Sequence, residues 1–447
     1  MAAGLGTRMK SKRAKVLHEL AGLPLIAHVS RAAQALEPRR ILVVVGHQAE
    51  EVERAVLAEV GELAAFVIQA KQRGTGDAVE SARDMLAGSE SLVLVLSGDV
   101  PMIRVETLRK LIEHHRNSGA DCSILSVKFE NPAGYGRIIR DERDAFQKIV
   151  EQRDTTEEQR QIREINSGIY CFESDSLFQA LRKVEPANDQ GEYYLTDVPG
   201  IILASGGKVT VFLHPDSREV YGINSRAELA EFENLIRRNA IRRLMTDAGV
   251  TFIDPSHAYI SPEAEIGRDT IIYPDVTIEG KSVIGEGCVI RSGSRISNSR
   301  LGDEVVIKDH SVIIDSEVQA NCSVGPFAHL RMNAVLEPKA TVGNFVEVKK
   351  SRLKRGTKAM HLTYLGDATI GERTNIGAGT VTCNYDGVNK HETIIEDDVK
   401  IGSDTMLVAP VRVGARSVTG AGSVVTKDVP PDSLVAGVPA ELKKKLK

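Results

Sequence analysis

Arg331, Lys349, Lys350, His361, Tyr364 and Asn375 bring cations, an imidazole, a phenol and an amide into one short stretch of the chain. Cations and an amide suit a phosphorylated sugar. An amine attacking a thioester must lose a proton, and imidazole, with an unperturbed pKa of about 6.5, accepts one at neutral pH. His361 carries the imidazole that could accept it. A second constellation opens the chain as "MAAGLGTRMKSKRAK". Gly4 and Gly6 would let backbone amides approach phosphates, and a helix N-terminus behind them would favour negative charge. Met9 stands where the third glycine of a dinucleotide fingerprint would fall, so that motif is excluded. Arg8, Lys10, Lys12, Arg13 and Lys15 crowd the same segment. Water and salt reduce each repulsion there to about 1 kcal/mol or less, so charge density alone does not separate a phosphate site from a solvated basic face. In "LVLVLSGDVP", Asp99 follows an apolar run, the place where an α/β enzyme carries a metal ligand.

Two different architectures must position these groups. In the first half, "ILVVV" (41–45) and "LVLVL" (92–96) are short apolar runs, expected as strands buried on both faces of a parallel sheet. Helix-like stretches such as "GDAVESARDML" (76–86) separate them, which implies a doubly wound α/β sheet with ligands beyond the carboxyl ends of its strands. From Ser225 the texture becomes charged and amphipathic, and Ser225 with Glu228 makes a capping-box start for a connecting helix over 225–250.

After about residue 251 a third texture begins. Ile266, Ile272, Ile278, Ile284, Ile290 and Ile296 recur every six positions, as do Val324, Leu330, Leu336, Val342 and Val348, and later Ile395, Ile401, Leu407 and Val413. Neither a helix nor a lone strand has that period. It requires a coil of equivalent faces and looks like the hexapeptide repeat of left-handed parallel β-helices. Coils stack about 4.8 Å apart, so residues one coil apart in sequence become neighbours. From Val348 to Ile370 is 22 positions, which six does not divide. An excursion carrying His361 is expected there, and a second at "VTCNYDGVNKHET" (381–393).

Hydrophobic residues at 42% and charged residues at 26% describe a globular protein, and aromatics at 4% with no Trp suit a narrow aliphatic interior. A net charge of −4 argues against bulk affinity for nucleic acid or anionic membrane. No apolar run approaches the roughly 18 residues of a membrane span. The five scattered cysteines, without a CxxC pair, fit reduced thiols in a cytoplasm and no zinc site.

Specific segments add a family resemblance. "VGNFVEVKKSRL", "KAMHLTYLGDATIG" and "NIGAGTVTCNYDG" are similar to the acetyltransferase domain of bacterial bifunctional N-acetylglucosamine-1-phosphate uridyltransferases. The resemblance makes His361 the general base, gives Arg331, Lys349, Tyr364 and Asn375 to glucosamine 1-phosphate, and gives Ala378, Asn384, Tyr385, Ser403 and Ala421 to acetyl-coenzyme A. It implies a homotrimer with this site between neighbouring prisms. An arginine that the family often carries near its C-terminus is absent: Gly437 or Val438 stands there, with Lys443 to Lys445 nearby. At the other end, "GLGTRM" with Lys15 resembles sugar-phosphate nucleotidyltransferases, and "QAKQRGTGDA" (69–78) the uracil-reading segment, through Gln69, Gly74 and Thr75. Gly4, Gly6, Gly98, Gly136, Glu151 and Asn166 complete the implied binding of UTP and the sugar, Arg8 and Lys15 face the leaving pyrophosphate, and Asp99 with Asn224 holds magnesium. Family members carry a short apolar strand ahead of "AAGLGTRM", so the sheet is expected to lack its first strand, and Ala14 stands where proline is common.

The implied organisation is a uridyltransferase domain over 1–224, the linker helix, a β-helix acetyltransferase domain over 251–440 and a basic tail over 441–447. The implied activity is synthesis of UDP-N-acetylglucosamine, a precursor of peptidoglycan and lipopolysaccharide. A monofunctional nucleotidyltransferase with a structural or regulatory β-helix, as in ADP-glucose pyrophosphorylases, gives no reason for His361, Tyr364 and "NYDG" to interrupt the repeat. A non-catalytic assembly subunit, as in translation-factor proteins with both folds, would tolerate loss of Asp99 and Lys15, and both are present.

Overall fold

Helix Arg226–Thr246 contains the division between two compact units, Met1–Phe232 and Glu233–Lys447. The computed structural model describes residues 1–445 other than Leu5, Ala87, Ser89, Glu90 and 187–190. Of the expected basic tail, Leu446 and Lys447 lie outside the described residues.

In the first unit, Ile41–Val45 pairs in parallel with Ala64–Ile68. A separate, mixed sheet runs in the order Val209–His214, Cys122–Lys128, Glu164–Glu173, Arg137–Arg140, Phe146–Val150, with Leu92–Val95 also on Glu164–Glu173. The run 92–96 therefore departs from its expected place in a parallel sheet: Leu92–Val95 pairs antiparallel, and only Val95 of the four is buried. Met1–Ala3 runs between the two sheets, with the Ala2 amide donating to Val44 O at 2.8 Å and the Gly98 amide to Met1 O at 2.9 Å. Ile41, Leu42 and Leu92 to Leu94 are half-buried. Val43, Val45, Val52 and Val56 still form a closed aliphatic cluster with Ala2, Ala14 and Val16, which fixes the opening loop to the sheet. The stretch 76–86 forms two short helices, Thr75–Glu80 and Arg83–Leu86.

The second unit is a three-faced parallel β-helix. Its strands form ladders of 12, 10 and 9, beginning with Thr251–Phe252, Tyr259–Ile260 and Glu265–Ile266 and called here the first, second and third faces. The period-six aliphatics all point inward and stack in register, as in the column Ile272, Ile290, Ile307, Val324, Val342, Ala359, Ile376 and Ile401. Each coil buries its side chains only against its neighbours, so the core is a line of aliphatic layers.

The expected excursion between Val348 and Ile370 does not occur. Leu353, Ala359 and Leu365 fill the interior in steps of five, six, six and five residues, and all three are fully buried. The short steps fall at the corner between the second and third faces. There Ser351 Oγ accepts the Ala368 amide at 2.8 Å and reaches Lys349 O at 3.0 Å, so one side chain closes a turn that is a residue short. Ser299 and Ser316 serve the same corner in earlier coils, with the Ser316 amide donating to Ser299 Oγ at 3.1 Å. The true excursion is the second one: after Cys383 the chain leaves the wall, 385–390 are exposed, and it returns at Thr393–Ile395.

Two candidate active sites

In the first unit the opening loop turns at Gly6, whose φ of 60° is left-handed, and a Cβ there would come within 2.5 Å of Lys15 Cβ. Glycine is what lets the loop close on Lys15. The expected helix N-terminus behind the glycines is absent. Thr7–Met9 is a single 3-10 turn, bounded by left-handed Gly6 and Lys10, so no helix dipole acts there. Gly4 is exposed, with nothing within 4 Å of a Cβ position.

Four of the expected residues converge. Lys15 Nζ contacts Asp99 Oδ2 and donates to Asn224 Oδ1 at 3.0 Å, and Arg8 Nη2 donates to the same Oδ1 at 2.8 Å. Asp99 follows Leu92–Val95, and its carbonyl accepts the Ile223 amide at 2.9 Å, which ties the Asn224 loop to the strand end. A carboxylate and an amide oxygen thus point at one ammonium. Among the described residues no cluster of three acidic, His or Cys side chains could hold a metal. A two-oxygen seat already aimed at a positive charge fits magnesium, which takes one or two protein oxygens and completes its shell with phosphates and water.

Gln69 directly follows the strand Ala64–Ile68 and is buried, its Nε2 donating to Asp77 Oδ2 at 2.8 Å and Gly74 O at 3.1 Å. Gly74 has φ of 109°, and a Cβ there would lie 2.5 Å from Tyr193 O, so segment 192–195 closes over this loop. Thr75 Oγ1 accepts the Leu195 amide at 3.0 Å. Gly136, Glu151 and Asn166 also come together. The Asn166 amide donates to Gly136 O at 2.9 Å, and a Cβ on Gly136 would lie 3.5 Å from both Glu151 carboxylate oxygens. Burial pushes the Glu151 carboxyl above its ordinary range, despite a hydrogen bond to Thr196. Asn166 Nδ2 donates to Tyr170 Oη at 2.6 Å. Gly98 donates its amide to Met1 O. Sequence reasoning missed the cleft wall beside Asp99, formed by Ser97, Tyr135, Tyr221 and Glu228.

In the second unit His361 ends the strand Lys358–His361, at the corner between the first and second faces, and pairs with Asn344 one coil earlier. His361 Nδ1 lies 2.7 Å from Asn344 Oδ1. With that oxygen accepting, Nδ1 carries the proton and Nε2 keeps its lone pair, the tautomer a base requires. The same corner position in later coils is taken by Ala378, Ser403 and Ala421: the register Ala359–Ile376 carries His361 to Ala378, and the bonds Asp404 N to Ala378 O (2.6 Å) and Gly422 N to Ser403 O (2.8 Å) carry it on. Small side chains therefore leave a track along the prism that starts at the imidazole.

The residues expected on the sugar phosphate fall into two groups. Arg331, Lys349 and Tyr364 lie on the second face, where Arg331 pairs with Lys349 and its Nε donates to Glu347 Oε1 at 2.7 Å. Asn375 lies on the first face, paired with Lys358 and Lys400. Lys349 is buried, and its Nζ stands 3.7 Å from Asp367 Oδ2, with Lys350 Nζ 3.4 Å from Oδ1. Burial raises the Asp367 carboxyl, but the 2.5 Å bond from Asn384 Nδ2 and the two lysines outweigh it and hold it below the carboxylate range. Tyr385 is exposed, its Oη donating to Gly387 O at 2.6 Å, and Glu441–Lys445 pairs antiparallel with Ser433–Ala436 at the end of the first face.

Three residues here escaped the sequence reading: Asn344, Asp367 and Lys390. Lys390, on the excursion, is pressed by the Lys349 ammonium, which pushes its own pKa below the lysine range. Three ammoniums, those of Lys349, Lys350 and Lys390, around the single Asp367 carboxylate make a seat for an anion. Asn344 and Asp367 lie 17 residues from His361 and Lys350, a signal legible once the coil is counted as 17 rather than 18.

Family models agree with this division. One described as a MobA-like NTP transferase domain matches residues 1–188, one described as the GMPPB C-terminal domain matches 252–337, and one described as bacterial transferase hexapeptide (six repeats) matches 392–427. The chain joins a nucleotidyltransferase domain to a hexapeptide-repeat β-helix. Relatives named bifunctional protein GlmU match almost end to end. Those of Heliobacterium modesticaldum and Pelobacter propionicus are 50% and 48% identical, each over 97% of this chain and over 93% and 94% of their own. That of Syntrophomonas wolfei is 47% identical, over 97% of this chain and 95% of its own. The chain belongs to the bifunctional GlmU family. Among the described residues no helix is long and apolar enough to cross a membrane.

Proposed function

We propose that the chain makes UDP-N-acetylglucosamine in two steps on two separate sites. The second unit transfers the acetyl group of acetyl-coenzyme A to glucosamine 1-phosphate. The sugar's amino nitrogen attacks the thioester carbonyl, His361 Nε2 takes its proton, and the imidazolium returns it to the departing thiolate. What carries this reading is the fixed tautomer: Asn344 engages Nδ1 at 2.7 Å at the foot of a track of small side chains. Ala378, Ser403 and Ala421 admit the coenzyme along that track, with Asn384 and Tyr385 at its side. Arg331, Lys349 and Lys390 hold the phosphate, and Tyr364 the sugar. Asn375, on the adjoining face, reaches the sugar phosphate of a neighbouring copy in a homotrimer, the arrangement that the two-face separation favours.

The first unit then transfers uridylyl. A phosphate oxygen of N-acetylglucosamine 1-phosphate attacks the α-phosphorus of UTP and pyrophosphate leaves. Both reactants are anions, so positioning and charge neutralisation carry the step. Asp99 and Asn224 would hold a magnesium ion, which would supply part of that neutralisation. Lys15, which holds those two oxygens together now, turns to the phosphates with Arg8. Gln69, Gly74 and Thr75 shape the uracil pocket, Gly4, Gly6 and Gly98 border the phosphates, and Gly136, Glu151 and Asn166 hold the sugar. The free cysteines fit a reducing compartment, and we assign the protein to the cytoplasm.

The test is to incubate the protein with glucosamine 1-phosphate, acetyl-coenzyme A, UTP and magnesium. Free thiol and pyrophosphate are followed separately. Thiol release followed by pyrophosphate is expected. Pyrophosphate without thiol would favour the monofunctional reading.

A further inference from the structure

Glu228 sits in the first turn of Arg226–Thr246 and closes the expected capping box. Its amide donates to Ser225 Oγ at 3.2 Å, and the Ser225 amide donates to Glu228 Oε2 at 2.9 Å. Such a box satisfies the exposed amides of a helix start and needs nothing more. Here the same Oε2 accepts a second and shorter bond, from the Asn224 amide at 2.6 Å. Asn224 lies outside the helix, so this bond does nothing for the cap.

It does restrain Asn224. The side-chain Nδ2 donates to Gly222 O at 2.8 Å, and the preceding Ile223 amide is fixed on Asp99 O at 2.9 Å. With its backbone amide on Glu228 and its side-chain nitrogen on Gly222, the Asn224 side chain has its oxygen left to present. That group is Oδ1, which faces Lys15 and Arg8 beside Asp99. Bonds to an ionised acceptor are roughly twice as strong as neutral ones, so the carboxylate is the strongest of these restraints.

We infer that Glu228 is a positioning residue of the nucleotidyl-transfer site: its carboxylate fixes Asn224 so that the Asn224 amide oxygen and the Asp99 carboxylate form one divalent-cation seat. The inference rests on the uridylyl reading above and extends it to the first turn of the long helix. Glu228 acts through Asn224.

The experiment uses the full chain with Mn2+ as the probe, its free concentration read by electron paramagnetic resonance in the presence of UDP-N-acetylglucosamine. Glu228→Ala should raise the Mn2+ dissociation constant about 10-fold, the low end of the range that orienting partners of metal ligands command. Glu228→Gln keeps an acceptor oxygen and should stay within about twofold of the parent, while Asn224→Ala sets the upper limit. Pyrophosphate release should show the same shift in the Mg2+ concentration at half-maximal rate, with the rate at saturating Mg2+ changed less. An unchanged Mn2+ constant in Glu228→Ala alongside a lower Tm would overturn the inference and leave Glu228 a helix cap. So would a Gln variant as weak as the Ala variant. A parent that binds Mn2+ yet releases no pyrophosphate contradicts the uridylyl reading alone; a parent that binds no Mn2+ overturns both.

Discussion

Asn344, His361, Ala378, Ser403 and Ala421 share one corner of the β-helix in successive coils, so their neighbourhood follows from counting along the chain. The residues around Asp99 come instead from positions 8, 15 and 224, and meet only because a sheet, a glycine turn and a helix cap converge. The prism positions chemistry by register; the α/β unit does so by loops tied to strand ends. A register site tolerates the loss of one contact locally, whereas a loop site spreads that loss to every group sharing the tie.

That contrast is sharpened first at Asn344. Asn344→Ala frees the imidazole to rotate and change tautomer, and misplacement of a reacting group costs up to about 10²-fold. Acetyl transfer should fall by that order with uridylyl transfer untouched, measured as thiol against pyrophosphate release. An equal fall in both would mean that the prism's register is not local.

A smaller effect is expected at Lys390. Its charged form is disfavoured by Lys349, so its folded pKa lies below the ordinary 10.5. An anion bound between the two ammoniums restores the proton, so binding of glucosamine 1-phosphate takes up protons as pH approaches that lowered value from below. Calorimetry in buffers of different ionisation enthalpy should show this uptake in the parent and none in Lys390→Ala. The variant should raise KM for the sugar phosphate about 3–10-fold, the scale of an exposed charge-assisted contact.

Ser351→Ala should have the least effect on either reaction. It leaves the buried Ala368 amide without its acceptor, which costs about 1–3 kcal/mol of stability in denaturant unfolding. A variant as stable as the parent would show that the serine corner does not hold the five-residue step.

The sequence disclosed the prism through Ile266 to Ile296, whose period admits no other fold, and marked His361 by its chemistry. It misplaced the reason for His361. A strict count of six hid the five-residue corners, because a buried serine replacing one residue leaves no mark on the aliphatic pattern. Asn344 stayed unseen for the same cause: with the coil counted as 18, it is out of step with the histidine by one. In the first unit Lys15, Asp99 and Asn224 were legible as separate motifs, but their convergence on one ammonium is tertiary. The antiparallel pairing of Leu92–Val95 was hidden because an apolar run reads alike in either direction.

The separation of the two sites is tested most directly by crossing them. His361→Ala and Asp99→Asn would be assayed in parallel for thiol release and for pyrophosphate release. General-base loss should cut acetyl transfer by about 10²–10⁴-fold in His361→Ala and leave uridylyl transfer at the parent rate, with the reverse pattern in Asp99→Asn. Near-parent acetyl transfer in His361→Ala would contradict the account.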